Sequence, residues 1–198
     1  MIATMETDFN EDELLHLALN SMQESDREQA MLHLKKLIAR NPKNGKALFL
    51  LGSLHADIGM YDLAIEELSE AVRNEPGIAA AHFQLGLLYA TSGNIAEAEK
   101  AWAIFDREDE NNPYLLFKRG ILHLANNRFE ECLRDLRSGI QNNLENLPLN
   151  QNMQQLIDAV EADLNNPLQS REQDGSPQKQ GSHILLSAYN QDNYDDDS

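Results

Sequence analysis

The stretch ALFLLGSLHADIGMYDLAIEELSEAVRNEP, from Ala47 to Pro76, contains the features that decide the fold of this chain. The glycine at its sixth position, residue 52, has counterparts at intervals of 34 residues, at Ala18, Gly86 and Gly120. A fixed period of this length is the sequence signature of helical hairpins that stack on one another. Pro76 closes the stretch, because a proline ends one hairpin before the next begins.

Two further columns of residues keep the same spacing. Small residues recur where the second helix of a hairpin must approach the first, and large apolar residues recur one turn later. The small column holds Ala30, Ala64, Ala98 and Cys132, and the large column holds Leu34, Leu68, Trp102 and Leu136. Agreement among this many columns predicts four helical hairpins in register.

The stretch from Ala47 to Pro76 resembles a tetratricopeptide repeat. That family's signature places a Leu-Gly pair on the first helix, a Gly-x-Tyr turn, and alternating small and large residues on the second helix. The matching residues are Leu51, Gly52, Gly59, Tyr61, Ala64, Leu68, Ala71 and Pro76, whereas Leu48 and His55 depart from the family's tryptophan and tyrosine. The resemblance covers about residues 11–145. It implies an all-α fold in which tetratricopeptide-type hairpins form a right-handed superhelix.

The period also predicts the boundaries within the chain. We expect a flexible N-terminus over residues 1–10 and a repeat domain over 11–145, with units at about 11–44, 45–78, 79–112 and 113–145. Helical spacing of apolar residues after the repeats predicts a capping helix over 146–164. Glutamine, serine, glycine and proline then dominate, which predicts a disordered acidic tail over 165–198 with an apolar cluster at 184–189.

Composition excludes several classes of function. The net charge is −17, and a chain with so few spare cations is not expected to bind nucleic acid, whose phosphates require lysine and arginine. Apolar runs stay below the ~20 residues that span a bilayer, so we expect no membrane insertion. The start of the sequence lacks the pattern of a secretory signal, and the chain has a single cysteine, Cys132. We therefore expect a cytoplasmic protein.

The resemblance also indicates where a partner would bind. In the family, a few fixed places on the first helix of each hairpin line the inner face of the superhelix. The first such place is occupied here by Leu15, Phe49, Phe83 and Phe117, and further inward places by Leu19, Leu87, Ile121 and Leu124. We expect these side chains to form an apolar groove that binds an apolar or amphipathic segment of a partner protein. The alternative is that the rings pack inside the hairpin stack.

The apolar groove favours one branch of the family over another. Members that clamp a peptide's carboxylates need basic or polar residues where this chain has Phe49, Phe83 and Phe117. The groove resembles that of the acidic secretion chaperones of the family, which shield apolar segments of a client. The expected function is thus an interaction adaptor or chaperone, of which a secretion or assembly chaperone is the form that this resemblance implies. The alternative is a structural subunit that assembles through its repeat flanks and its C-terminal tail.

The tail carries a second binding hypothesis. Ile184, Leu185, Leu186 and Tyr189 form its apolar cluster, and we expect them to dock in the chain's own groove or in that of a neighbour. A linker of about eighteen residues has a reach of roughly 20–25 Å, which is enough to return to the inner face. The alternative is a disordered tail that carries a short linear motif for another protein.

Residues with catalytic chemistry do not form a pattern in this chain. The six histidines lack the spacing of a metal site, and the glycines follow the repeat period instead of a phosphate-binding motif. Cys132 replaces alanine in the small column, where we expect a buried and inert thiol. We therefore expect no catalytic residues, no metal and no cofactor, and we expect that the protein is not an enzyme.

Overall fold

The computed structural model describes residues 9–165, 180–181 and 183–185. Residues 9–165 form nine α-helices and one 3-10 helix, and no strand occurs among the residues described. The helices are α1 (Glu11–Gln23), α2 (Arg27–Arg40), α3 (Gly45–Asp57), α4 (Tyr61–Asn74), α5 (Ala79–Thr91), α6 (Ile95–Ala101), the 3-10 helix (Trp102–Arg107), α7 (Pro113–Ala125), α8 (Phe129–Asn142) and α9 (Leu147–Asn165). The all-α hairpin-repeat fold is confirmed.

Local capping explains where the first helices of the hairpins begin. Asn10 precedes α1 and accepts a hydrogen bond from the Glu13 amide, while the Glu13 carboxylate accepts one from the Asn10 amide. Asn44 caps α3 by accepting from the Ala47 amide. Asn112 caps α7, which has Pro113 in its first turn. Helices α1, α3 and α7 thus each begin directly after a capping asparagine.

The chain divides into two compact units, unit 1 over residues 1–81 and unit 2 over residues 82–198. In unit 1, α1 packs on α2, α2 on α3 and α3 on α4. The largest apolar side chains of this core are leucines from α1, α2 and α3, among them Leu14, Leu34 and Leu51. The predicted columns meet here: a Cβ added at Gly52 would lie 3.0 Å from Leu68 Cγ.

The same columns meet in unit 2, at closer range. A Cβ at Gly120 would lie 2.6 Å from Leu136 Cδ2, and a Cβ at Gly86 would lie 2.5 Å from Trp102 Cδ1. Glycine is therefore required where a residue of the large column packs against the first helix. The Trp102 indole is fixed in this position because its Nε1–H donates a 2.9 Å hydrogen bond to the Phe83 carbonyl.

The second helix of the third hairpin changes from an α-helix to a 3-10 helix at Trp102. Helix α6 is only seven residues long, and the chain continues as the 3-10 helix Trp102–Arg107. Lys118 of α7 is buried beside this helix; its Nζ forms an ion pair with Asp106 and lies 3.5 Å from the Trp102 carbonyl oxygen. The connection to Pro113 therefore starts from a 3-10 helix and not from an α-helix.

A fourth column appears at the turns inside the hairpins. Ser25, Gly59, Gly93 and Asn127 stand 34 residues apart, and all four have positive φ, between 56° and 79°. This left-handed backbone favours glycine and tolerates asparagine. The last hairpin thus carries a polar side chain at the place where the two middle hairpins have glycine.

The last helix lies against the last hairpin. Helix α9 packs on α8, and Arg137 of α8 forms an ion pair with Glu161 of α9. Its buried face consists of Leu149, Met153, Leu156, Ile157 and Val160. Across the residues that the structure describes, no helix combines the length and the apolar character that crossing a membrane requires.

Candidate functional site

The side chains predicted to line the inner face differ in burial between the two units. Those of unit 2 are buried, namely Phe83, Leu87, Phe117, Ile121 and Leu124. The prediction that these five form an open apolar groove is therefore wrong. In unit 1, Leu15 and Phe49 are half-buried, and Leu19 is 39% exposed.

Phe83 is at the centre of a cluster of aromatic rings in unit 2. Its ring centroid lies 5.5 Å from that of Tyr114, 5.8 Å from Trp102, 6.0 Å from Phe117 and 6.5 Å from Phe105. These rings come from α5, the 3-10 helix and α7. Their separations fall in the range where aromatic pairs attract one another beyond simple burial. The cluster is a core and not a binding surface.

Phe117 is enclosed from the other side by α8. A Cβ at Gly139 would lie 2.5 Å from Phe117 Cδ1, so the ring fills the space that a side chain at residue 139 would need. Helical spacing places both rings on the face that meets the second helix, because Phe83 and Phe117 each stand three residues before a glycine of that face. Phe49 has the same spacing to Gly52, so the fuller burial in unit 2 follows from the neighbours present there, namely the rings around Phe83 and the contact of Phe117 beside Gly139.

Leu15, Leu19 and Phe49 remain as the accessible part of the predicted site. Leu15 and Leu19 are four residues apart on α1 and share a face. Phe49 occupies the equivalent place of Leu15 one repeat later, on α3. We call these three residues the unit 1 inner face. Their role in partner binding remains a prediction.

The described part of the tail packs against unit 2. Residues 180, 181 and 183–185 are helical, and Ile184 and Leu185 are buried. The Gly181 amide donates a 2.9 Å hydrogen bond to Asn127 Oδ1, at the end of α7. Leu186 and Tyr189, also expected to dock, lie outside the described residues. Sequence reasoning missed Asn127 and Gly181, although the 34-residue column at the hairpin turns marks Asn127 as unusual.

Two histidines pair with carboxylates at equivalent places, 68 residues apart. His55 Nδ1 lies 2.6 Å from Glu67 Oε2, and His123 Nε2 lies 3.3 Å from Asp135 Oδ2. Burial raises the pKa of Glu67, and the hydrogen bond from His55 opposes this rise. Asp135 is buried and also forms an ion pair with Arg119, Nε to Oδ2 at 3.1 Å. Both pairs join the two helices of a hairpin, which is a structural role.

We expect His123 to make the chain less stable in acid. Burial lowers the pKa of His123 below 6.5, Arg128 and Arg119 lower it further, and Asp135 and Glu131 only partly oppose them. Below pH 6.5 the unfolded chain therefore binds a proton that the folded chain resists, and stability is lost as pH falls through this window. One such group changes the free energy of unfolding by at most about 1.4 kcal/mol per pH unit.

The measurement is urea denaturation at pH 7.5 and pH 5.5, for the intact chain and for His123→Gln. The intact chain should lose more stability on acidification than the variant does. Equal losses in the two proteins would show that His123 does not carry the pH dependence.

Among the described residues, neither a cluster of metal ligands nor a reactive cysteine is found. Within residues 9–165 and the described tail positions, no three His, Cys, Asp or Glu side chains come together to hold a metal ion. Cys132 is buried between the helices of the last hairpin, and burial raises its thiol pKa to about 12. A thiol with this pKa stays protonated and unreactive at neutral pH.

Comparison with known sequences agrees with the repeat geometry. Two models of the tetratricopeptide repeat family match residues 21–81 and 54–114. The tetratricopeptide repeat and J domain-containing co-chaperone DNJ1 of Fusarium oxysporum f. sp. lycopersici is 24% identical over 127 residues, which cover 61% of this chain. The matched region is 24% of that co-chaperone, so this chain spans about a quarter of its length.

Solved structures share the fold. A crystal structure of MamA superposes with a TM-score of 0.56 and 22% identity, over 67% of this chain and 78% of that one. A double mutant of MamA superposes over 90% of this chain and 93% of that one, with a TM-score of 0.56 and 11% identity. An O-GlcNAc transferase variant from Thermobaculum terrenum is 27% identical with a TM-score of 0.52, over 64% of this chain and 26% of that one.

Proposed function

Because this chain belongs to the tetratricopeptide repeat family, we propose that it is an adaptor or chaperone that binds a segment of another protein on the unit 1 inner face. The observation that carries this proposal is the partial exposure of Leu15 and Phe49, at equivalent places on the first helices of two successive hairpins, and of Leu19, one helical turn after Leu15. Accessible apolar side chains in one register suit the apolar face of an amphipathic helix or strand.

The size of the apolar face sets the expected affinity. Full burial of a leucine or phenylalanine side chain contributes about 1.5–3 kcal/mol relative to exposure. Since the three side chains are already partly covered, together they contribute about 3–5 kcal/mol. A micromolar complex requires about 8 kcal/mol after association costs, so polar contacts at the rim must supply the remainder. The net charge of −17 favours a partner segment with lysine or arginine beside its apolar face.

The chaperone side of the proposal is supported by the relative DNJ1, whose name describes it as a co-chaperone. The match covers only 24% of that co-chaperone, so its J domain is not attributed to this chain. We propose that the repeats here hold a client while it awaits assembly or export, and that they act in the cytoplasm. A catalytic role is not part of this proposal.

The test compares two leucines of similar exposure on different helices. Leu19 on α1 is 39% exposed, and Leu32 on α2 is 44% exposed. We expect a Leu19→Ser/Phe49→Ser variant to bind the partner that the intact chain captures about tenfold more weakly, a loss of about 1.4 kcal/mol. Leu32→Ser should bind that partner as the intact chain does.

Binding is measured by titration of the purified partner, and far-UV circular dichroism verifies that each variant is folded. Equal affinities for the intact chain and the Leu19→Ser/Phe49→Ser variant would contradict the proposal. Equal losses for that variant and for Leu32→Ser would also contradict it.

A second candidate is a structural subunit that assembles through the flank of its repeats. Leu144, in the connection between α8 and α9, is 83% exposed, and Leu147, the first residue of α9, is 64% exposed, so two large apolar side chains lie close together on the surface of the last repeat. Light scattering of the intact chain and of a Leu144→Ser/Leu147→Ser variant distinguishes the two candidates. A stable oligomer that this variant abolishes favours the structural subunit, and a monomer in both cases favours the adaptor.

A further inference from the structure

The end of α7 forms a small cradle that residues 180, 181 and 183–185 of the same chain occupy. A Cβ added at Gly181 would lie 2.7 Å from the Leu124 carbonyl carbon and closer still to its oxygen. This obstacle is backbone, which cannot rotate away as a side chain can. The cradle therefore accepts glycine at this place and excludes every residue that has a side chain.

Asn127 supplies the polar contact of the cradle. Its backbone is left-handed, with φ 56°, like Gly59 and Gly93 at the equivalent turns. Glycine is the residue that this conformation favours, so asparagine gives up a small amount of backbone stability here. Its side-chain oxygen accepts the hydrogen bond from the Gly181 amide at 2.9 Å. Asparagine at this turn thus provides a contact that glycine could not make.

The apolar part of the segment points to the same side as Gly181. Ile184 and Leu185 stand three and four residues after Gly181, which places all three on one face of a helical turn. Both aliphatic side chains are buried, whereas His183 between them and Gly181 is exposed. Gln180 also donates a hydrogen bond to the Asp163 carboxylate of α9. The segment is therefore held by one face, with two polar contacts at its start.

We propose that this cradle is a binding site for a helical segment in which a glycine stands three and four residues before two large aliphatic residues. The chain's own Gly181, Ile184 and Leu185 occupy it until a partner segment of this pattern displaces them. The site lies in unit 2 and is independent of the unit 1 inner face, so it can fail or succeed without the proposed function. A tethered segment competes at a high effective concentration. A partner segment must therefore have the same residue pattern and bind with enough affinity to displace it.

The test uses a fluorescent peptide with the sequence of residues 176–190, titrated with the full chain. In the Gly181→Ala chain the tail no longer fits, so the site is open and the peptide should bind about tenfold more tightly than it binds the intact chain. A peptide with alanine in place of its glycine should bind the Gly181→Ala chain about tenfold more weakly than the native peptide does. His183→Ala, a change at an exposed position of the same segment, should behave as the intact chain.

Asn127→Gly separates recognition from folding. It restores the residue of the two middle hairpins at this turn, so the hairpin should fold as before, while the acceptor for the glycine amide is lost. In the Gly181→Ala background, Asn127→Gly should weaken peptide binding about fivefold, the usual effect of one lost neutral hydrogen bond.

Hydrogen exchange provides a readout without peptide. The Gly181 amide should be protected in the intact chain, at a level that does not change on dilution, and exposed to exchange in Asn127→Gly. Equal peptide binding by the intact and Gly181→Ala chains, or no binding by either, would overturn the proposal. Protection that disappears on dilution would assign the contact to a second copy of the chain and would overturn its intramolecular part.

Discussion

Replacing Gly86 with alanine should destabilise unit 2 by about 3 kcal/mol. The added Cβ would lie 2.5 Å from Trp102 Cδ1, well inside van der Waals contact. The indole cannot move aside, because it is fully buried, donates a hydrogen bond to the Phe83 carbonyl and stacks on the Phe83 ring. Overpacking of a filled core typically costs about 1–3 kcal/mol, and a rigid ring places this site at the upper end. The expected loss is opposite to the gain of about 1 kcal/mol that alanine gives in an ordinary helix.

Gly52→Ala is the matched control for this prediction. It occupies the same column one repeat earlier, but its Cβ would lie 3.0 Å from the Cγ of a leucine, Leu68, which can shift by a few tenths of an ångström. We expect its effect to stay within about 1 kcal/mol of the native chain, since helix propensity offsets the mild crowding. Urea denaturation followed by far-UV circular dichroism measures both variants. The fluorescence of Trp102, the only tryptophan in the sequence, reports on unit 2. Equal losses in the two variants would show that Trp102 does not restrict residue 86.

Phe117→Ala should cost about 4 kcal/mol, the largest effect of any change suggested for the predicted groove. The ring is fully buried, packs 6.0 Å from the Phe83 centroid and fills the space beside Gly139. Truncation of a buried phenylalanine leaves a cavity, and such changes cost about 3–5 kcal/mol. Phe49→Ala, at the equivalent place in unit 1, should cost less than half as much, because Phe49 is only half-buried.

The two phenylalanine variants are compared by urea denaturation under identical conditions. If Phe117 lined an open surface, its removal would cost no more than the removal of Phe49 and would act on partner binding instead. Similar losses of stability in the two variants would therefore reject the distinction between the core of unit 2 and the unit 1 inner face.

The repeat register was readable from the sequence because it follows from contact. Gly52, Gly86 and Gly120 recur at 34 residues because each must admit the large residue of the second helix, and the structure brings each glycine against Leu68, Trp102 or Leu136. The fold class was therefore predictable from the spacing of these columns.

The direction of the phenylalanine rings was predicted wrongly, although the sequence contains the information. Phe83 precedes Gly86 by three residues, and the glycine marks the face that meets the second helix. Phe49 has the same relation to Gly52, so this spacing gives the direction of a ring, whereas its burial depends on the neighbours, which in unit 2 are the other aromatic rings around Phe83. The full ring cluster could not be predicted, since it depends on the 3-10 helix that brings Trp102 and Phe105 close to Phe83.

For the tail, too, the residue pattern was visible in the sequence, whereas the contacts that it makes were not. Its apolar cluster was visible in the composition, so docking of Ile184 and Leu185 could be proposed. The requirement for glycine at residue 181 could not be foreseen, because it arises from the close approach of the Leu124 backbone, which lies far away in the sequence. Asn127 was detectable in principle as the asparagine in a column of turn residues, but its partner was not.

The central claim is that one row of phenylalanines serves two purposes, as core in unit 2 and as an accessible face in unit 1. The most direct measurement is the fluorine NMR spectrum of the full chain labelled with 4-fluorophenylalanine, recorded in H2O and in D2O and assigned by single Phe→Tyr variants. The resonance of Phe49 should shift between the two solvents, and the resonances of Phe83 and Phe117 should not. Shifts of equal size at all three positions would contradict the claim.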